Sequence, residues 1–257
     1  MPGSLDSSAA APALALTDDQ FLGGRLAILQ PAKGYRVAID AVFLAAAVPC
    51  RPGETVFEAG LGTGVAALCI LARVPDVRIT GVEIAGPYAE LAETNAKRNG
   101  MAGRLHVVRG DIKDALPVAQ GSFAHAYANP PFFERGKVQA PPDRLKAVAS
   151  AHAAHELDLW VRALAGLVAP KGTVTLVHRA DVVGRILEAM EGRLGDIRIA
   201  PLFPRQGAPA SRVVVQGVKG SKAPLQLLPG LVLHGTGSEF TPQAEAVLRQ
   251  AAAWPLR

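Results

Sequence analysis

The hydrophobic positions along this chain fall into short runs that alternate with longer amphipathic stretches. "TVFEAG" (Thr55 to Gly60) is an apolar run ended by glycine, as expected of a buried strand, and "VAALCILARV" follows it as a helix. The alternation repeats. "VRITGVEI" reads as a strand and "PYAELAETNAKRNG" as a helix closed by Gly100, then "RLHVVRGD" and "FAHAYANPP" as a third and a fourth strand. A helix is expected over 157–168, a strand at "TVTLVH" after Pro170-Lys171-Gly172, and a further helix at "DVVGRILEAMEG". "DIRIAPLF" and "RVVVQGVK" follow as strands with only a Pro/Gly loop between them, so they should pair antiparallel at one edge. This order predicts an α/β fold: a mostly parallel seven-stranded sheet with an antiparallel edge strand and helices on both faces.

Flanking segments carry weaker patterns. Residues 1–16 are small, proline-containing and aperiodic, the pattern of a flexible tail. In "FLGGRLAILQPAKGYRVAIDAVFLAAAV" the glycine pairs and Pro31-Ala32-Lys33-Gly34 predict a hairpin of two short strands, followed by a helix from about Ile39 that stops before Pro49. Residues 219–257 hold one extended segment, "LQLLPGLVLH", and a short helix after Thr241-Pro242. The expected organisation is a tail (1–16), a hairpin and helix (17–50) packed on a main α/β domain (51–218), and a C-terminal extension of that domain (219–257).

Composition changes this picture little. With 257 residues, 49% hydrophobic and 19% charged, the chain is globular and long enough for a full core. A net charge of +5 is compatible with an anionic partner, but no dense basic block identifies one. Cys50 and Cys69 lie in apolar runs and form no C-x-x-C pair, so buried, reduced thiols and a cytoplasmic location are expected. No run has the length of a membrane span, and the N-terminus lacks the basic start of an export signal.

The candidate chemistry sits where strands end. "EAGLGTG" (Glu58 to Gly64) turns the first strand into a helix; its glycines let a ligand approach the backbone, and the helix N-terminus aims amides at it. The spacing is G-x-G-x-G, with Val65 where a dinucleotide fingerprint has its third glycine, which disfavours a dehydrogenase. Glu83 ends the second strand, placed to accept from ribose hydroxyls, and Asp111 ends the third, placed to accept from an adenine amine; Ile84 and Ile112 follow them. "ANPPFF" (Ala128 to Phe133) ends the fourth strand with a turn rich in acceptors and poor in donors, beside aromatic rings. His152, His155 and Glu156 lack the H-E-x-x-H order and any third-ligand pattern, so no metal is expected.

Together, E-x-G-x-G-x-G, an acid ending strand two, Asp after strand three and N-P-P-F after strand four resemble the class I S-adenosylmethionine-dependent methyltransferases. The closer resemblance, from about Gln20 to the C-terminal strands, is to the bacterial tRNA adenine-N6 methyltransferases, and "GGRLAILQPAKGYRVAIDAVFLA" is its most family-specific part. The family usually has Asp where this chain has Glu58. The resemblance implies a Rossmann-like fold and S-adenosyl-L-methionine as cofactor, held by Glu58, Gly60, Gly62, Thr63, Gly64, Glu83, Ile84, Asp111, Ile112, Asn129 and Asp40. It implies catalysis by Asn129, Pro130, Pro131 and Phe132, and an RNA partner, tRNA being the expected class. Lys33, Arg36, Phe133, Arg135, Lys137 and Arg144 would meet that RNA, with Lys146 also at the rim. A monomer or homodimer is expected. Two alternatives remain at this stage: methylation of a protein glutamine amide, and an RNA-binding protein that keeps the fold without turnover.

Overall fold

A computed structural model of the chain describes residues 15–33, 39–131 and 156–256. The chain opens with strand β1 (Leu16–Phe21), which pairs antiparallel with β2 (Leu26–Pro31). Their turn holds Gly23 and Gly24, both at positive φ. A Cβ on Gly23 would lie 2.8 Å from the Arg249 carbonyl oxygen, so the turn also needs glycine for space. The hairpin is where the glycine pairs predict it, although β1 already begins at the last residue of the expected tail. Helix α1 (Ile39–Ala47) follows, and β3 (Thr55–Ala59), α2 (Val65–Arg73), β4 (Arg78–Glu83), α3 (Gly86–Arg98), β5 (Leu105–Arg109) and β6 (Phe123–Ala128) form the regular alternating part. Helix α4 covers 156–167, then come β7 (Val168–Arg179), α5 (Val183–Met190), β8 (Leu194–Arg205), β9 (Arg212–Lys219), β10 (Gln226–Leu227), β11 (Leu231–His234) and α6 (Pro242–Gln250).

The main sheet runs β10-β8-β9-β7-β6-β3-β4-β5, with β11 also beside β8. Strands β3 to β7 are mutually parallel, and β9 is antiparallel to both β7 and β8. The α/β expectation holds, with two corrections. The antiparallel strand is interior, not at the edge, because β9 inserts between β7 and β8. The sheet has nine strands among the described residues, not seven: β10 and β11 each add to the outer edge of β8, covering backbone groups that would otherwise be exposed. None of the described helices is long and apolar enough to cross a membrane.

Two cores flank the sheet. On one face α1, α2, α3, α6 and the hairpin bury Phe43, Leu44, Leu68, Ile70 and Trp254. On the other, α4 and α5 bury Val161, Leu164, Ile186 and Met190 against Phe57, Ala126 and Leu176. The hairpin is joined to the first core by two side-chain amides of α3. Asn95 accepts from the Leu29 amide (2.8 Å) and donates to the Leu29 carbonyl (3.0 Å); one turn on, Asn99 does the same for Ala27 at 3.0 Å each way. These amides take the place of a neighbouring strand along the open side of β2.

Candidate cofactor and substrate site

β3 has β4 on one side and β6 on the other, so the chain reverses its winding direction at this strand. Open α/β sheets bind ligands at the carboxyl ends of the strands where this happens. The register sets the components side by side: Ala59 is level with Val82 and with Ala128, so the turn after β3 lies between Glu83 and Asn129.

That turn is the glycine loop. Gly60, Gly62 and Gly64 adopt φ of 70°, 56° and 85°, a region unfavourable to any residue with a Cβ. Gly60 and Leu61 donate their amides to the Val82 carbonyl at 3.0 and 2.9 Å, and Gly62 donates to Glu83 Oε2 at 2.7 Å. The other Glu83 oxygen accepts from Ala85 at 2.8 Å, so this buried carboxylate braces both turns while each oxygen keeps a further acceptor site. A Cβ on Gly60 would sit 2.9 Å from the Trp160 indole, which brings α4 against the loop.

Gly64 is the N-cap of α2 and has no side chain to satisfy the first amides. Glu58 lies below this turn: its buried carboxyl accepts from the Tyr127 hydroxyl at 2.8 Å, and the Ala67 backbone in the first turn of α2 favours its charged form. Tyr127 is the β6 residue level with Glu58 and is fully buried. Burial pushes the Glu58 carboxyl up to about 8, opposed by these two groups and reinforced by the charge of Glu83. Burial also pushes the Tyr127 phenol well above its ordinary value, with the Glu58 charge adding to it.

Asp111 sits after β5 and accepts from the Lys113 amide at 3.0 Å. The Lys113 ammonium lies 3.5 Å from Asp111 and 3.6 Å from Glu156, linking this turn to the start of α4. Ile84, beside Glu83, is 69% exposed, an apolar surface at the mouth of the cleft. Ile112 is buried in the core under α4.

Across β3 from Glu83 stands Asn129. Its Oδ1 is buried and has no hydrogen-bond partner; among the described residues the only other such side-chain atom is Thr63 Oγ1 of the glycine loop. Buried polar atoms are nearly always paired, so two orphans at one end of one sheet mark a site shaped for a polar ligand. Pro130 is buried and Pro131 exposed.

A methyltransferase domain family matches residues 56–172, which span the glycine loop, both carboxylates and the Asn129 turn. A tRNA1(Val) (adenine(37)-N6)-methyltransferase from Shewanella baltica is 30% identical, the match covering 70% of this chain and 76% of the relative. A protein of the same name from Porphyromonas gingivalis is 28% identical over 71% of this chain and 76% of its own. The chain belongs to this methyltransferase family. It is a class I, S-adenosylmethionine-dependent enzyme. A crystal structure of a predicted O-methyltransferase from Agrobacterium tumefaciens superimposes with a TM-score of 0.70 at 26% identity, covering 84% of this chain and 98% of that one.

Of the methyltransferase's other expected site residues, two fall among the described ones. Asp40 is buried in the first turn of α1 and accepts from Arg212 Nε at 2.8 Å, tying α1 to the start of β9. Lys33 is exposed. Arg36, Phe132, Phe133, Arg135, Lys137, Arg144, Lys146, His152 and His155 lie outside the described residues. Among the described residues no group of three or more His, Cys, Asp or Glu is arranged to hold a metal. Sequence reasoning passed over Asn95, which besides holding Leu29 donates to the Thr63 carbonyl at 3.0 Å and so fixes the glycine loop to the hairpin. The available signal was a single asparagine within the helix, a residue that helices disfavour unless its amide has work there; Asn99, one turn on, is the C-cap of α3. Tyr127 left no such signal: its role depends on being level with Glu58 across two strands.

Proposed function

We propose that this methyltransferase transfers a methyl group to the exocyclic N6 amine of an adenine in tRNA. The observation that carries the reading is the unpartnered Asn129 Oδ1, held on an Asn-Pro-Pro turn one strand from the glycine loop. S-adenosylmethionine, when bound, supplies an electrophilic methyl group. The glycine loop, whose Gly60, Leu61 and Gly62 amides are taken up by Val82 and Glu83 to fix its shape, is assigned with Glu83 and Asp111 to holding it, with the exposed Ile84 as the apolar surface for its adenine. Thr63 Oγ1 is a second polar group left open for it.

The remaining task is to make a poor nucleophile act. The lone pair of an adenine amine is delocalised into the ring. Two acceptors that take its two hydrogens draw the nitrogen toward tetrahedral geometry and aim the lone pair. Asn129 Oδ1 is one and the Pro130 carbonyl the other. Proline has no N–H and a fixed φ, so the turn offers carbonyls that it does not consume itself. Orientation and preset dipoles supply the rate gain, and no general base is needed before transfer because the proton leaves afterwards. Phe132 stacks on the base, and Lys33, Arg36, Phe133, Arg135, Lys137 and Arg144 meet the surrounding RNA in this reading. We assign the reaction to the cytoplasm, with the protein acting as a monomer or homodimer.

The test is nucleoside mass spectrometry of tRNA from a strain lacking the gene, before and after treatment with purified protein and S-adenosylmethionine. N6-methyladenosine should be missing and then restored. Unchanged tRNA nucleosides, with a methylated glutamine missing from a protein of that strain, would favour the amide reading instead.

A further inference from the structure

The parallel strands β6 and β7 end on the same side of the sheet as β8 and β11, because β8 is antiparallel to β9, which is antiparallel to β7. The Asn129 turn therefore shares an edge with Arg205 at the end of β8 and His234 at the end of β11. Those two residues are register partners. Four strand spacings separate β6 from β11, roughly 19 Å at about 4.8 Å each, and the register Ala128–Leu176–Val215–Ile199 puts Arg205 five residues, roughly 16 Å at about 3.3 Å each, beyond the level of Asn129.

This far end of the edge is unusually well fixed for an exposed loop. The His234 ring stacks on Phe240 with centroids 4.7 Å apart and planes 22° apart, and Phe240 packs in turn against the core. His234 Nδ1 lies 2.9 Å from the Ser238 carbonyl; a carbonyl only accepts, so Nδ1 is the donor and Nε2 is left for a ligand. The Arg205 guanidinium donates to the Gly235 and Gly237 carbonyls of the same loop. Its charge differs from that of its neighbours. Arg212 is paired with Asp40 and Arg179 with Asp181, whereas Arg205 has no acidic partner among the described residues, Glu239 of its own loop included. An exposed cation preset by carbonyls, beside a half-buried imidazole supported from behind, is the chemistry that takes a phosphate and an unstacked base together.

We propose that Arg205 and the His234–Phe240 stack form a second contact site for the RNA substrate. It binds a phosphate on the guanidinium and an unpaired base on the outer face of the imidazole, a few nucleotides from the adenine at Asn129. The proposal rests on the tRNA reading above.

The experiment measures methyl transfer to a full-length tRNA transcript by the intact protein and by Arg205→Glu, His234→Ala, Arg205→Lys and His234→Phe. Arg205→Glu and His234→Ala should raise KM for tRNA about ten-fold with kcat within about two-fold and unaltered S-adenosylmethionine affinity. Arg205→Glu should also lower the salt slope of tRNA binding by about one. Arg205→Lys and His234→Phe, which keep the charge and the stack, should stay within about three-fold of wild type. A role confined to holding the loop would lower the melting temperature and leave KM and the salt slope where they were, which overturns the proposal. If wild type methylates tRNA and all four variants match it, the second site is wrong and the tRNA reading stands. If wild type does not methylate tRNA, both fall.

Discussion

The Asn95 amide of α3 donates to the Thr63 carbonyl at 3.0 Å and to the Leu29 carbonyl at 3.0 Å, so one buried side chain spans the glycine loop and the N-terminal hairpin. It also accepts from the Leu29 amide. Asn95→Ala would leave these buried backbone groups unpaired, at about 1–3 kcal/mol for each. Asn99→Ala breaks only the bonds to Ala27 and Asn95. Both variants should melt lower, but only Asn95→Ala should also weaken S-adenosylmethionine binding by calorimetry. Equal affinity in the two variants would separate the hairpin from the loop.

Gly60 answers to two constraints at once. At a φ of 70° an added Cβ strains the backbone by about 1–3 kcal/mol. It also meets Trp160 at 2.9 Å. Gly60→Ala should therefore reduce cofactor affinity at least ten-fold, and Trp160→Leu in the same chain should recover part of the loss by removing the clash but not the strain. No recovery in the double variant would show that the indole contact is immaterial.

The fold was legible wherever local pattern and tertiary position agree. The β3–α2–β4–α3 series could be read because each apolar run is cut by glycine, α2 is apolar nearly throughout and α3 has a buried stripe. The glycine loop, Glu83, Asp111 and the Asn129 turn could be found because each follows a strand directly. Register is what the chain does not display. That β9 lies inside β8, and that Tyr127 is level with Glu58 and donates to its carboxyl, both depend on which strands become neighbours.

Buried acid–base groups set opposite slopes for stability. Glu58 titrates near 4.5 when unfolded and at about 8 when folded, so the folded state holds a proton that the unfolded state releases. Its contribution is complete below about pH 4.5 and is lost as pH rises through about 8. Urea midpoints should fall as pH rises from about 4.5 to about 8 and level off above that, and Glu58→Gln should flatten the fall. An unchanged slope over that range in the variant would mean that Glu58 is charged at neutral pH.

His125 and His178 act in the other direction. His125 Nε2 donates to Glu54 at 3.1 Å and its Nδ1 meets the Thr173 hydroxyl at 2.8 Å; burial holds its pKa below 6.5, with Glu54 opposing. Burial lowers His178 to about 4, with Asp181 opposing. The unfolded chain binds these protons first, so stability present above about pH 6.5 should drop as pH falls toward 4. His125→Gln should reduce that acid slope in the same urea series; an unaltered slope would assign it to other groups.

The central claim is that Asn129 acts on the substrate amine. Single-turnover methyl transfer from labelled S-adenosylmethionine to unmodified tRNA, with cofactor affinity measured alongside, addresses it directly. Asn129→Ala should bind the cofactor nearly as wild type does and react roughly a hundred- to a thousand-fold more slowly, the usual cost of one preset dipolar partner. Methylation by Asn129→Ala at the wild-type rate would contradict the account and leave the Asn-Pro-Pro element as a turn without a catalytic role.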